Sequence, residues 1–174
     1  MSEWIVRCAC GAVEIEASGR PIVSTACYCS DCQAAGHHLE ALSGAPRIVA
    51  EDGGTAAVLF RKDRVAFSRG QAQLREYRLK PGSPTRRLVA TCCNTPLALD
   101  FTQGFWISVY AGRMVPEAPP LDMRTMVKER PEWTVLSDDI PNVEGHSGKF
   151  MLKLLGNWAL MGFRSPKLPG VPGL

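Results

Sequence analysis

All seven cysteines of this 174-residue chain lie in three short groups, and no other feature of the sequence constrains the fold as strongly. The groups comprise Cys8 and Cys10, then Cys27, Cys29 and Cys32, and finally Cys92 and Cys93. An odd number of cysteines cannot pair completely as disulfides within one chain. The first residues also lack the long apolar run of an export signal. We therefore expect a reducing, cytoplasmic location in which these cysteines act as thiolates.

The first two groups have the spacing of metal-binding motifs. Cys8-Ala9-Cys10-Gly11 brings two thiolates close together, and the glycine lets the backbone turn around them. The motif C-x-C-x-x-C at residues 27–32 supplies three thiolates over a short stretch of chain. The two early and two late cysteines together suit a closed four-thiolate zinc site of structural type. The remaining three predict a second zinc with one position free for a substrate or water.

Short β-branched and aromatic segments separated by turn signals predict a mainly β fold of packed antiparallel sheets. The chain contains 16 glycines and 13 prolines, a density that suits short strands better than a helical bundle. A short helix is predicted at residues 30–41 with Ser30 as its cap, and residues 115–142 are predicted to wrap the sheets as an extended segment. Strands are predicted at residues 3–8, 12–17, 56–61, 64–68, 73–79, 87–92, 96–101 and 105–110.

A second helix is predicted near the C-terminus, from Ser147 to Phe163. It has a wide apolar face and one polar stripe, formed by Lys149, Lys153 and Asn157. The pattern suits a helix packed on the protein body, a homodimer contact, or a helix on a membrane surface. We expect residues 143–174 to form a helix and tail that pack on a zinc-binding β domain of residues 1–142, giving one domain overall. No apolar run reaches about 18 residues, so no membrane span is predicted.

Positive charge is concentrated in residues 61–87, which carry a net charge of +7, whereas the whole chain carries +3. This segment could bind an anionic partner such as the carboxylates of a small thiol, or it could form strands with solvated outer faces. Few aromatic residues are interleaved, so the sequence gives little support for nucleic acid as a partner. The candidate binding residues in the segment are Arg75, Arg78, Arg86 and Arg87.

The cysteine motifs together resemble those of the glutathione-dependent formaldehyde-activating enzyme family, which includes the centromere-protein-V-like proteins. The resemblance covers about residues 4–136 and rests on CACG at 8–11, CYCSDCQ at 27–33 and CCNTPL at 92–97. It implies a β-tent-like zinc domain in which Cys8 and Cys10 join the late pair at a structural zinc. It also implies that Cys27, Cys29 and Cys32 hold a catalytic zinc, with glutathione as the thiol and an aldehyde as its reaction partner.

The late pair departs from the family pattern C-x-x-C-G-T-P-L. Alignment on Thr95 places Ala90 where the first cysteine belongs, and Asn94 replaces the glycine. Neighbouring residues of a strand point to opposite faces, so Cys92 and Cys93 serve one ion only if the chain bends there. Three arrangements remain: both cysteines close the first site, Cys92 turns to the triplet, or one site is degenerate.

Two histidines, His37 and His38, follow the triplet closely. Their spacing from Cys32 would allow a Cys₃His site, and a histidine here could also assist proton transfer. Exposed histidines at the end of a helix are the simpler interpretation.

The leading functional hypothesis is a zinc-dependent carbon–sulfur lyase-like enzyme that acts on a glutathione-type thiol adduct of a small aldehyde. The alternative is a non-catalytic zinc-binding module for protein or nucleic-acid interaction, in which every metal position is closed. A third hypothesis is a thiol redox protein that uses Cys29 and Cys32 as a dithiol. A free position at the triplet favours the enzyme, whereas a disulfide between Cys29 and Cys32 favours redox chemistry.

Overall fold

The computed structural model describes residues 3–174, which form twelve strands and two α-helices. The helices are α1 (Ser30–Glu40) and α2 (Gly148–Leu160). The strands are β1 (Glu3–Arg7), β2 (Glu14–Ser18), β3 (Val23–Cys27), β4 (Thr55–Arg61), β5 (Val65–Arg69), β6 (Leu74–Tyr77), β7 (Thr85–Ala90), β8 (Thr95–Phe101), β9 (Trp106–Tyr110), β10 (Met114–Val115), β11 (Met123–Thr125) and β12 (Asn142–Val143).

The strands form two sheets. The smaller sheet has four strands in the order β10-β1-β2-β5, and the larger has eight in the order β12-β11-β3-β4-β9-β8-β7-β6. Pairing is antiparallel except at β11, which runs parallel to both β3 and β12. The mainly β fold class predicted from the sequence, with packed sheets and two helices, is confirmed.

The main core lies between the two sheets. Val6 and Ile15 of the smaller sheet are fully buried in one cluster with Val58, Leu88 and Val109 of the larger sheet. Ile15 alternates with the more exposed Glu14 and Glu16 along β2, as expected of a strand with one buried face. At an estimated 1.5–3 kcal/mol for each fully buried aliphatic side chain, this cluster contributes much of the stability of the fold.

Helix α2 packs on the protein body through a second apolar cluster. Phe150, Leu154 and Met161 are buried there against side chains that include Val23 and Leu59. The Ser147 hydroxyl accepts a hydrogen bond of 3.1 Å from the backbone N–H of Phe150 and so caps the helix. Within residues 3–174, neither α-helix has the length and apolar character of a membrane-spanning segment. The division into residues 1–142 and 143–174 stays a prediction.

All eight predicted strands are present, with ends that differ by at most two residues from those expected. The predicted helix at 30–41 is α1, but its N-cap is Cys29 and not Ser30. The sequence-based prediction of the cap was wrong by one residue because the Cys29 sulfur accepts from the backbone N–H of Cys32. The extended segment 115–142 contributes β11 and the first residue of β12 to one edge of the larger sheet.

Candidate metal centres

Four cysteines from the segments that follow β1 and β7 meet in one cluster, which we call the group of four: Cys8, Cys10, Cys92 and Cys93. The Sγ atom of Cys8 lies 3.6 Å from that of Cys10 and 3.8 Å from that of Cys92. The Sγ atoms of Cys10 and Cys92 are 3.4 Å apart, and those of Cys92 and Cys93 are 3.8 Å apart. Tetrahedral zinc with bonds of about 2.3 Å to sulfur requires S–S separations of about 3.8 Å. The four thiols therefore already have nearly the spacing of a zinc shell.

Two backbone turns bring these thiols together. Gly11, with φ +77°, closes the turn after Cys10, and its N–H donates to the carbonyl oxygen of Cys8 at 3.0 Å. Cys92 and Cys93 lie in the turn between β7 and β8, where Asn94 has a φ of 50°. Asparagine tolerates this left-handed conformation better than most residues, which explains how it can stand where glycine is usual. The bend lets both late cysteines reach the same cluster, so Cys92 does not turn to the triplet.

Polar groups around the group of four orient its sulfurs. The backbone N–H of Val13 donates to the Sγ atom of Cys8 at 3.3 Å. The Thr95 hydroxyl lies 3.0 Å from the Sγ atom of Cys93 and accepts from the N–H of Ala9 at 3.1 Å. These contacts join the turn before β2 to the start of β8, and they match the hydrogen bonds that surround thiolate ligands in metal sites.

The other three cysteines, which we call the triplet, converge where β3 leads into α1. Cys27 is the last residue of β3, Cys29 is the N-cap of α1, and Cys32 lies in the first helical turn. Their sulfurs lie within 4.8 Å of one another. The N–H of Cys32 donates to the Cys29 sulfur at 3.4 Å, so the N-terminus of the helix points toward sulfur. A helix N-terminus stabilises negative charge, and the position therefore favours thiolates.

The crowding of the triplet favours loss of a proton from one sulfur. Hydrogen bonds from the Cys29 and Cys32 thiols hold the pKa of Cys27 well below its usual range. Hydrogen bonds with Cys27 and, to a smaller extent, with Cys29 raise the pKa of Cys32. One thiolate is thus stabilised by two neutral thiols. This arrangement is expected because three neighbouring thiolates would repel one another.

The donor atoms of both clusters are of the type that zinc prefers. Sulfur is the only donor type in either cluster, and no carboxylate or imidazole among residues 3–174 joins them. Thiolates select zinc and other soft metals over magnesium or calcium. The group of four supplies a complete tetrahedral shell, and the triplet supplies three of four positions.

A buried pair of polar side chains lies beside the triplet. Arg87 of β7 is 3% exposed, and its Nη2 donates to the carbonyl oxygen of Asp31 at 3.1 Å. Burial raises the pKa of the Tyr110 hydroxyl, and the neighbouring Arg87 guanidinium opposes that shift. The hydrogen bond of Arg87 to Asp31 brings its guanidinium to the first turn of α1, which also carries Cys32. Sequence spacing gave no signal for Tyr110, because only the pairing of β4 with β9 brings it to this face.

The four arginines proposed as binding residues do not share one surface. Arg86 is buried and binds Asp100 at 2.8 Å and Glu76 at 3.0 Å, on the opposite face of β7 from Arg87. Arg78 also binds Glu76, at 2.8 Å. Arg75 donates to the carbonyl oxygens of Ala72 and Leu74. Of the four, Arg87 is therefore the one whose contacts place it at the first turn of α1.

The histidines after the triplet have partners elsewhere. His37 is mostly exposed, with its Nδ1 3.6 Å from Oε2 of Glu40. The ring of His38 stacks on Tyr77 at 4.6 Å. Neither imidazole is within the triplet cluster, so the simpler interpretation of the pair, exposed helix-end histidines, fits better than a Cys₃His site.

Two side chains that supply no sulfur, Gln33 and Glu129, hold the start of α1 in place. The Gln33 side-chain amide donates to the carbonyl oxygens of Tyr28 and Glu129 at 2.6 and 3.0 Å. The Glu129 carboxylate accepts from the N–H of Ser30 at 2.8 Å. Gln33 directly follows Cys32 in the sequence, but its role depends on Glu129, which is brought near only by folding.

A mainly β fold that gathers seven cysteines into a group of four and a triplet defines a protein with thiolate metal centres. The chain belongs to the family of the glutathione-dependent formaldehyde-activating enzyme, whose family model matches residues 4–119, and this is a zinc-binding family. A crystal structure of a Rhodobacter sphaeroides protein is similar at 18% identity and a TM-score of 0.46, covering 66% of this chain and 91% of that one. No curated protein matches the chain.

Proposed function

We propose that this protein binds two zinc ions and that the triplet is the active site of a carbon–sulfur lyase-like enzyme. The observation that carries the proposal is the convergence of Cys27, Cys29 and Cys32 within 4.8 Å at the N-terminus of α1. Four thiolates complete a structural site, whereas three leave one coordination position for a ligand from solution. The group of four is then structural and the triplet is catalytic.

The predicted ligand from solution is a small thiol of the glutathione type, and its partner is a small aldehyde. Zinc bound by the triplet would supply a Lewis acid that lowers the pKa of an incoming thiol. In the forward direction the thiol sulfur adds to the carbonyl carbon of the aldehyde, a carbon–sulfur bond forms, and the aldehyde oxygen accepts a proton. The reverse, lyase direction breaks that bond and returns the free thiol and the aldehyde.

The residues of the chain have separate roles in this proposal. The triplet holds the metal, and the N-terminus of α1 stabilises negative charge on the sulfurs. Arg87 holds the first turn of α1 through Asp31 and places a positive charge near the sulfurs. Zinc with three thiolates has a net charge of about −1, so this buried cation offsets the charge of the site.

Carboxylate groups of the thiol need cations that are accessible. Arg75 and Arg78 are partly exposed near the edge strand β6 and stay the predicted contacts. Arg86 is not proposed for this role, because its side chain is buried and binds Asp100, Glu76 and the carbonyl oxygen of Pro169. We place the reaction in the cytoplasm, where both a reduced thiol pool and reduced cysteines are maintained.

Glutathione binding to the zinc-loaded protein tests this function. Zinc analysis is expected to give two ions per chain, and calorimetry is expected to show glutathione binding that is absent for S-methylglutathione, which keeps the carboxylates but has no thiol. Cys29→Ser is expected to abolish binding, whereas Ser30→Ala, at the adjacent position, is the matched control. Turnover is followed by NMR of the glutathione–formaldehyde adduct.

Three results would overturn the proposal. No thiol binding by protein that contains two zinc ions would favour the non-catalytic zinc module. Equal binding of glutathione and S-methylglutathione would show that the sulfur is not recognised. A disulfide between Cys29 and Cys32 in metal-free triplets would favour thiol redox chemistry.

A further inference from the structure

The outer face of α2 is apolar although it lies on the surface of the protein. Five large apolar side chains at the helix and just beyond it are 50–75% exposed: Met151, Leu152, Leu155, Leu160 and Phe163. Soluble proteins rarely expose contiguous apolar patches of this kind without a partner. Phe150, Leu154 and Met161 occupy the opposite side and are buried in the body. The helix is therefore fixed in place with its outer face available.

The charged side chains of α2 and of the segment that follows it are all cations. Residues 145–174 contain no Asp or Glu, and their cations are Lys149, Lys153, Arg164 and Lys167. Lys153 is 3.4 Å from Asp122, whereas Lys149, Arg164 and Lys167 are exposed. Lys149 lies in the first turn of α2, and Arg164 and Lys167 follow its C-terminal end. Exposed cations thus flank the apolar face at both ends.

We propose that the outer face of α2 docks on an anionic lipid surface. Exposed leucine, methionine and phenylalanine side chains flanked by lysine and arginine are the features of helices that lie in the membrane interface. The apolar side chains would enter the boundary between headgroups and acyl chains, and the cations would meet lipid phosphates. Because the buried face of α2 stays packed on the body, docking requires no unfolding of the helix.

The charges disfavour a second copy of the chain as the occupant. A parallel two-fold pairing of helices places Lys149 near its own counterpart, and an antiparallel pairing places it near Arg164. Both arrangements bring like charges together, since residues 145–174 carry no side-chain carboxylate. Like-charge contacts across an interface cost several kcal/mol in general. The homodimer predicted from the sequence is the competing outcome of the experiment.

Vesicle flotation of the full-length, zinc-loaded protein tests the proposal. Binding is expected to vesicles of phosphatidylcholine with phosphatidylglycerol, to weaken as sodium chloride rises, and to be negligible with phosphatidylcholine alone. The double variant Leu152→Gln/Leu155→Gln is expected to weaken binding by about tenfold or more. The triple variant Lys149→Gln/Arg164→Gln/Lys167→Gln is expected to weaken it by about 100-fold.

Matched controls replace exposed residues outside α2. Trp133→Gln/Val135→Gln removes two exposed apolar side chains, and Arg47→Gln/Arg69→Gln/Lys128→Gln removes the same amount of positive charge. These controls are expected to bind vesicles like the wild type, and circular dichroism checks that every variant is folded. Loss of binding in the controls to the same degree would overturn the proposal.

Light scattering in the absence of lipid tests whether a second copy of the chain covers the outer face of α2 instead of a lipid surface. A monomer that binds anionic vesicles supports the proposal. A dimer that Leu152→Gln/Leu155→Gln dissociates, together with no vesicle binding by the wild type, would assign the face to a second copy. A monomer that binds no vesicles would also overturn the proposal. All these outcomes are independent of whether the triplet is catalytic.

Discussion

Arg87 of β7 reaches across to α1 and donates to the carbonyl oxygen of Asp31, which lies between Cys29 and Cys32 in the sequence. The bond is 3.1 Å long, and the Arg87 side chain is almost completely buried. The larger sheet is thereby tied directly to the turn that carries two of the three triplet sulfurs. The geometry of the triplet consequently depends on a strand that contributes none of its thiols.

Replacing Arg87 is therefore expected to weaken metal binding at the triplet. Arg87→Leu removes a buried hydrogen bond from a charged donor, worth about 1.5–3 kcal/mol, and the positive charge near the sulfurs. Competition with a zinc chelator is expected to remove one of two zinc ions at a lower chelator concentration than in the wild type. Arg78→Leu is the control, and equal zinc retention by Arg87→Leu and the wild type would contradict the prediction.

The two metal clusters are expected to contribute unequally to stability. The group of four connects Cys8 and Cys10, next to β1 of the smaller sheet, to the turn between β7 and β8 of the larger sheet. The triplet closes only the short loop from Cys27 to Cys32. Cross-links that close long loops restrict the unfolded chain more than those that close short ones. Zinc in the group of four should therefore stabilise the fold more.

Thermal unfolding of single variants measures this difference. Cys10→Ser is expected to lower the Tm of the zinc-loaded protein more than Cys29→Ser does. Chelator treatment of the wild type is expected to reduce the Tm at least as far as Cys10→Ser. A larger loss for Cys29→Ser would show that the triplet is the main structural cross-link.

Much of the site was predictable from the sequence because metal coordination is demanding. The spacing of the first two cysteine groups predicted that each would cluster, and the strand predictions followed from alternating side chains such as Val13 and Ile15. The partition of seven cysteines into four and three was one of the arrangements that zinc chemistry allowed. The turn at Asn94, which brings Cys92 and Cys93 to one cluster, decides between them.

Other features depend on contacts between segments far apart in the chain. Strand β3, with the sequence VSTAC, has small side chains and no clear alternation, and pairing with β4 and β11 defines it. The opposite roles of Arg86 and Arg87 follow from the orientation of β7, since a shift by one residue would exchange their faces. Composition placed both arginines in one cationic segment and could not show that their side chains lie on opposite faces of β7.

Substitutions of Asn94 test how the chain tolerates its departure from the family pattern. Its φ of 50° favours glycine or asparagine, and its side-chain amide also donates to the carbonyl oxygen of Ser43 at 2.9 Å. Asn94→Gly is expected to change the free energy of unfolding by less than about 1 kcal/mol, because the conformation remains allowed. Asn94→Val is expected to cost about 1–2 kcal/mol and to weaken zinc binding by the group of four. Equal stability of the two variants in urea unfolding would contradict this explanation of the turn.

Asp100 is expected to be among the most sensitive positions outside the metal clusters. Its carboxylate oxygens lie 2.8 Å from Nζ of Lys62 and 2.8 Å from Nε of Arg86, and all three side chains are buried. Asp100→Ala leaves two buried cations with less compensation, and loss of one partner from such a pair costs about 3–5 kcal/mol. Asp139, which binds Arg124 at 2.9 Å, is largely exposed, so Asp139→Ala is expected to destabilise the protein far less than Asp100→Ala does. Urea unfolding of the two variants measures the difference, and similar losses would show that burial does not determine the strength of these ion pairs.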